Sequence, residues 1–150
     1  MPSLAETLHE DMVASLRAHD EVVTRTLRMA LTAVKTEEVA GKSQRELSDE
    51  DVLTVLAREE KKRREAAEAF TAAGRDELAA RELEEAAVLV RYLPAQLSDD
   101  ELAALVTEAI AETGAEGPRG LGAVMKVLGP RTKGKADGGR VSAEVRRQLG

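Results

Sequence analysis

The chain has 150 residues, 22 Lys and Arg against 28 Asp and Glu, one Phe, one Tyr, no Trp and no Cys. Without cysteine there are no disulfides, thiolate nucleophiles or thiolate metal ligands, and the composition fits a reducing compartment. The longest apolar run, Ala86–Val90, falls far short of the ~20 residues a membrane span needs. The start, Met-Pro-Ser-Leu-Ala-Glu, has neither the basic nor the apolar region of a secretory leader. A cytoplasmic protein with no membrane partner is expected.

Leu4, Leu8, Met12 and Leu16 fall four apart and mark one face of a first helix. Asp20 caps a second, with Val23, Leu27, Ala30, Leu31 and Val34 inward and Gly41 as its stop. After a polar loop, Ser48-Asp-Glu-Asp51 reads as a capping box. It opens a third helix to about Ala73, with Val52, Leu53, Leu56, Ala67 and Phe70 inward. The middle of this helix, Arg58 to Glu68, is almost wholly charged. Glu59–Arg63 and Glu60–Arg64 are i,i+4 pairs in the favourable orientation.

Gly74 ends the third helix and Asp76 begins a fourth, whose expected core positions are Leu78, Leu83, Ala86, Ala87 and Val90. Pro94 ends it. Ser98-Asp-Asp-Glu101 is a full capping box for a fifth helix carrying Leu102, Leu105, Val106 and Ile110, closed by Gly114. Leu121–Leu128 is a short sixth helix, and Val141, Val145 and Leu149 mark a last one. Between them, residues 129–140 read as a basic, glycine-rich loop. No alternating strand pattern occurs, so the fold class is all-α. The composition changes near Pro94, which predicts an N-terminal helical bundle over 1–93 and a small helical tail subdomain over 94–150.

Charge is distributed unevenly. Residues 118–150 hold eight basic and two acidic side chains, whereas residues 1–117 hold 14 basic and 26 acidic. A basic end on an acidic body is an electrostatic footprint for a polyanion. The candidate nucleic-acid-binding residues are Lys126, Arg131, Lys133, Lys135, Arg140, Arg146 and Arg147. Arg131, Lys133, Lys135 and Arg140 lead this set, because the loop leaves them unpacked with Asp137 as their only acidic neighbour. Taken singly, Lys126, Arg146 and Arg147 also suit an ordinary solvated helix face. Residues 94–117, with six acids and no base, are expected to face away from a polyanion. With Phe70 and Tyr92 assigned to the core, no ring is left to stack on bases, so contacts would go to backbone and shape.

Enzymatic and metal readings fare poorly. Gly129-Pro-Arg-Thr-Lys-Gly134-Lys135 imitates a phosphate-binding P-loop, but Ala136 stands where a Mg²⁺-binding hydroxyl is needed and no strand precedes it. His9 and His19 lack the i,i+4 spacing of a metal pair. Glu82, Glu84 and Glu85 read as a solvated face, with Arg81–Glu85 as an i,i+4 pair. No cofactor, metal or catalytic residue is assigned.

Three blocks carry a family resemblance. They are Leu27-Arg28-Met29 leading to Ala33-Val34-Lys35; Ala73-Gly74-Arg75 with Leu78, Glu82, Glu85 and Tyr92-Leu93-Pro94-Ala95-Gln96-Leu97; and Gly122-Ala-Val-Met125-Lys126 followed by Gly134-Lys135-Ala136-Asp137-Gly138. In order and spacing the chain resembles the YqeY family, which is similar to the tail of the GatB subunit of tRNA-dependent amidotransferases. That resemblance implies an all-α fold and a tail that contacts tRNA. It also implies that carbon–nitrogen ligation with glutamine as amido donor lies in other domains and subunits, so this chain would not be catalytic alone. The other reading is a protein–protein adaptor or accessory subunit of an amidotransferase-like complex, with the charged third helix and the 94–117 segment as its surfaces.

Overall fold

The computed structural model describes residues 1–150, which form seven α-helices, one 3-10 turn and no strand. The chain divides into two compact units, Met1–Leu93 and Pro94–Gly150.

The first unit contains α1 (Leu4–Arg17), α2 (Glu21–Val39), α3 (Asp49–Ala72) and α4 (Asp76–Val90). Their starts follow from local chemistry. Ser3 and Ser48 each cap a helix with a reciprocal bond from the third helical residue, Glu6 and Asp51, and Asp20 caps α2. These bonds satisfy backbone N–H groups that a helix start leaves without partners. Three-residue turns join α1 to α2 and α3 to α4, making two helical hairpins. Gly74 takes the left-handed conformation (φ 75°) at the second turn.

The core of this unit is aliphatic: Leu8, Leu27, Val34, Val52, Val55, Leu56, Val88 and Leu89. Two features add polar links. Ser15 and Thr24 share a buried 2.7 Å hydroxyl–hydroxyl hydrogen bond between α1 and α2. The Tyr92 hydroxyl donates to Asp11 at 2.6 Å, tying the end of the unit back to α1. Partial burial of Tyr92, together with that acceptor carboxylate, raises its pKa above the ordinary phenol value of 10.0.

Several expected core positions lie elsewhere. Leu16 is 51% exposed, while its neighbour Ser15 is buried. On α4, Leu83 (53%) and Val90 (40%) are exposed and so is Ala87, whereas Ala79, Ala86, Val88 and Leu89 pack inward. The helix is apolar on two sides, so hydrophobicity alone mis-set its rotation. The charged middle of α3 is also not wholly solvated: Glu59 and Arg63 are buried and paired at 3.4 Å. Glu85 is buried as well, and its partner is Arg25 of α2 at 3.3 Å rather than Arg81.

The second unit contains α5 (Asp99–Thr113), a 3-10 turn (Pro118–Gly120), α6 (Leu121–Thr132) and α7 (Gly138–Leu149). Ser98 and Glu101 form the expected capping box, and Gly114 ends α5 in the left-handed region. The three helices pack around Leu102, Val106, Ala109, Val124, Leu128, Val141 and Val145. No helix of the chain is long and apolar enough to cross a membrane.

Candidate nucleic-acid interface

The basic stretch is more ordered than a glycine-rich loop. Helix α6 continues through Gly129 and Pro130 to Thr132, and α7 starts at Gly138, so the connection is only residues 133–137. Pro130 lies inside α6 and cannot donate the backbone bond to Lys126 that a helix makes here, so other bonds hold this last turn. Here Thr132 is buried, its hydroxyl donates to the Leu128 carbonyl at 2.9 Å, and Lys133 N–H bonds to Gly129. Helical structure at Gly129–Thr132, with no strand before it, rules out P-loop geometry at this position.

The short connection is pinned to the segment before α5. Leu97 N–H donates to the Lys135 carbonyl at 2.9 Å. The Gln96 side-chain amide donates to the Gly134 carbonyl at 2.9 Å and to the Pro94 carbonyl at 2.8 Å. Arg140 donates to the Leu97 carbonyl and to Asp99, both at 3.0 Å. Gly134 has φ 75°, a conformation that glycine adopts without steric cost. Asp137 caps α7 through a 2.7 Å bond from Gly139 N–H. Backbone groups of this connection thus face inward to neighbouring chain, and the Lys133 and Lys135 side chains remain exposed.

The seven candidate cations fall into different settings. Arg131, in the last turn of α6, pairs with Glu112 at 2.9 Å, which raises its pKa further. Arg140, in the first turn of α7, is committed to Leu97 and Asp99. Arg147 pairs with Glu144 at 2.8 Å; the contact lowers the Glu144 pKa and raises that of Arg147. Arg131 and Arg140 are therefore helical and ion-paired, contrary to the expectation of unpacked loop residues. The acids of 94–117 do not simply face away from the basic residues, because Asp99 and Glu112 are their partners. Lys126, Lys135 and Arg146 are exposed with no ion pair, and Lys133, two residues before Lys135, is exposed as well.

A match to the family model described as "Yqey-like protein" covers residues 5–149. The chain belongs to the YqeY-like family. It is also 32% identical over 100 residues to an uncharacterized protein of Schizosaccharomyces pombe, a match covering 66% of this chain and 79% of the yeast protein. In this YqeY-like chain, two of the blocks that carried the resemblance meet in space. Gln96 and Leu97 of the Tyr-Leu-Pro-Ala-Gln-Leu run hold Gly134 and Lys135 of the Gly-Lys-Ala-Asp-Gly run. Their distant positions in sequence are joined by one backbone bond, Leu97 N–H to the Lys135 carbonyl, and by the Gln96 side-chain amide on the Gly134 carbonyl.

Sequence reasoning missed Arg140's structural task, and the signal for it was slight: an arginine two residues into a helix, distant in sequence from Asp99. His9 and His19 are both exposed. No group of three His, Asp or Glu side chains is arranged to hold a metal ion.

Proposed function

We propose that this protein is a non-catalytic tRNA-binding module acting in the cytoplasm, with the Pro94–Gly150 unit as its grip. The observation that carries this reading is the pinned 133–137 connection, which presents Lys133 and Lys135 from an ordered backbone. Pre-ordering lowers the entropy lost when such side chains engage phosphates. Lys126 and Arg146 add positive charge from α6 and α7. Arg147 and Arg131 sit in exposed ion pairs, which are worth little in water and exchange readily for phosphate. Arg140 holds the connection in place and contributes mainly through it. The resemblance to the GatB tail supports tRNA as the polyanion, and the scarcity of aromatic residues favours backbone and shape contacts over base reading.

The test is tRNA binding by the Lys133→Glu, Lys135→Glu double variant, with circular dichroism to verify folding. A folded variant that binds at least tenfold more weakly supports the assignment. Unchanged affinity sinks it. If the wild-type chain shows no tRNA binding even at low salt, the adaptor reading takes its place, with the basic residues meeting an acidic protein.

A further inference from the structure

Helix α4 carries a second apolar face that the first unit's core does not use. Ala80, Leu83, Ala87 and Val90 lie at i, i+3, i+7 and i+10, all exposed, on the side opposite buried Glu85 and Leu89. Three turns of helix with such a stripe are unusual for a surface that stays in water. The stripe borders a groove of about 460 Å³ between α3 and α4, lined by Ala67, Thr71, Ala72 and Leu83 with Arg64 and Glu68 as its charged members.

We propose that this face pairs with the same face of a second copy of the chain, as two antiparallel α4 helices related by a two-fold axis near residue 85. The stripe is self-complementary in that register. A two-fold at its midpoint sets Leu83 against the other copy's Ala87, and Val90 against its Ala80, so each larger side chain meets a small one. A parallel pairing would instead set Leu83 on Leu83 and Ala87 on Ala87, so the large pair would hold the small pair out of contact. Charge selects the same orientation. Asp76 and Glu77 stand at the start of α4 and Arg91 at its end, all exposed. Antiparallel packing brings Arg91 of each copy within about two or three residues, ~3–5 Å along the axis, of Asp76 and Glu77 of the other. It also opposes the helix dipoles. Glu84 lies beside the two-fold, close to its own symmetry mate, which weakens the association. With only three turns in contact, the pairing belongs at the weak end of specific interfaces. An isologous contact of this kind closes at two copies.

Sedimentation velocity on the full chain, from about 10 μM to about 1 mM, reads the association directly. The wild type should pass from monomer to dimer within that range and stop there. Leu83→Glu should remain monomeric, with the wild-type thermal midpoint at about 10 μM and below, where both chains are monomers, since Leu83 is half exposed within its own unit. Arg91→Glu should raise the dissociation constant several-fold, and adding Glu77→Arg to it should restore most of the loss. A wild type that stays monomeric at the highest concentration overturns the proposal. So does a dimer indifferent to Leu83→Glu. Capture of a different protein on this face by a chain that never self-associates would equally refute it.

Discussion

At the scale of single residues, the polar atoms buried in the first unit are where substitutions will be felt. Tyr92 gives the cleanest case. Tyr92→Phe removes the bond to Asp11 and keeps the ring, so it should lower stability by about 1 kcal/mol, measurable by urea unfolding. The raised Tyr92 pKa adds a pH signature. A group whose folded pKa is raised contributes stability that is fully present below its unfolded value and is lost above it. Wild-type stability should therefore fall as the pH rises beyond 10.0, the unfolded phenol value, and Tyr92→Phe should flatten that part of the profile. Glu59 is a second case. It pairs with Arg63, whose Nε is buried without a hydrogen-bond partner. Glu59→Ala would leave the guanidinium uncompensated in the core and should cost about 3 kcal/mol in the same assay. The i,i+4 spacing of this pair was legible in the sequence, but its burial was not, because that depends on how α2 and α4 pack against α3.

At the scale of elements, helix starts were readable and helix rotation was not. Ser48, Ser98 and Asp20 announced their helices through side chains that reach the first turn, a local effect. Ser98→Ala should cost about 1 kcal/mol in thermal unfolding of the second unit. The backbone and hydroxyl bonds from Ser98 lower the Glu101 pKa below 4.5. That contribution is complete above the unfolded carboxylate value and is lost as the pH falls through the folded one, so acid should narrow the gap between Ser98→Ala and wild type. The rotation of α4 was misread because both its sides are apolar and only the packed structure distinguishes them. The extent of α6 was misread because Gly129-Pro130 is ordinarily a turn signal, whereas here Leu128 and Thr132 anchor the last turn from below. The connection that follows depends on Gly134. Gly134→Ala forces a side chain into the left-handed region and should cost about 1–2 kcal/mol. If the pinned connection presents the lysines, that variant should also weaken tRNA binding while retaining every charge.

At the scale of the molecule, the all-α architecture and family membership were legible from periodicity, caps and three motif blocks. The site was legible only as a concentration of charge. Which cations are available could not be read, because Glu112 and Asp99 reach Arg131 and Arg140 through the fold of the second unit rather than through sequence proximity. The same pairing makes the electrostatics of this unit more balanced than the sequence of its last 33 residues suggests, with eight basic and eight acidic side chains over 94–150. Binding, on this account, rests on a few well-placed cations and not on a strong overall field.

The decisive measurement is the salt dependence of tRNA binding by fluorescence anisotropy, wild type beside Lys133→Glu, Lys135→Glu. Contacts from Lys126, Lys133, Lys135 and Arg146, with Arg131 and Arg147 exchanging their carboxylates for phosphate, predict that log K falls against log salt with a slope of about −4 to −5. The double variant should bind more weakly and with a slope shallower by about 2. Equal slopes and affinities for the two proteins, or a wild type that does not bind at low salt, would contradict the account.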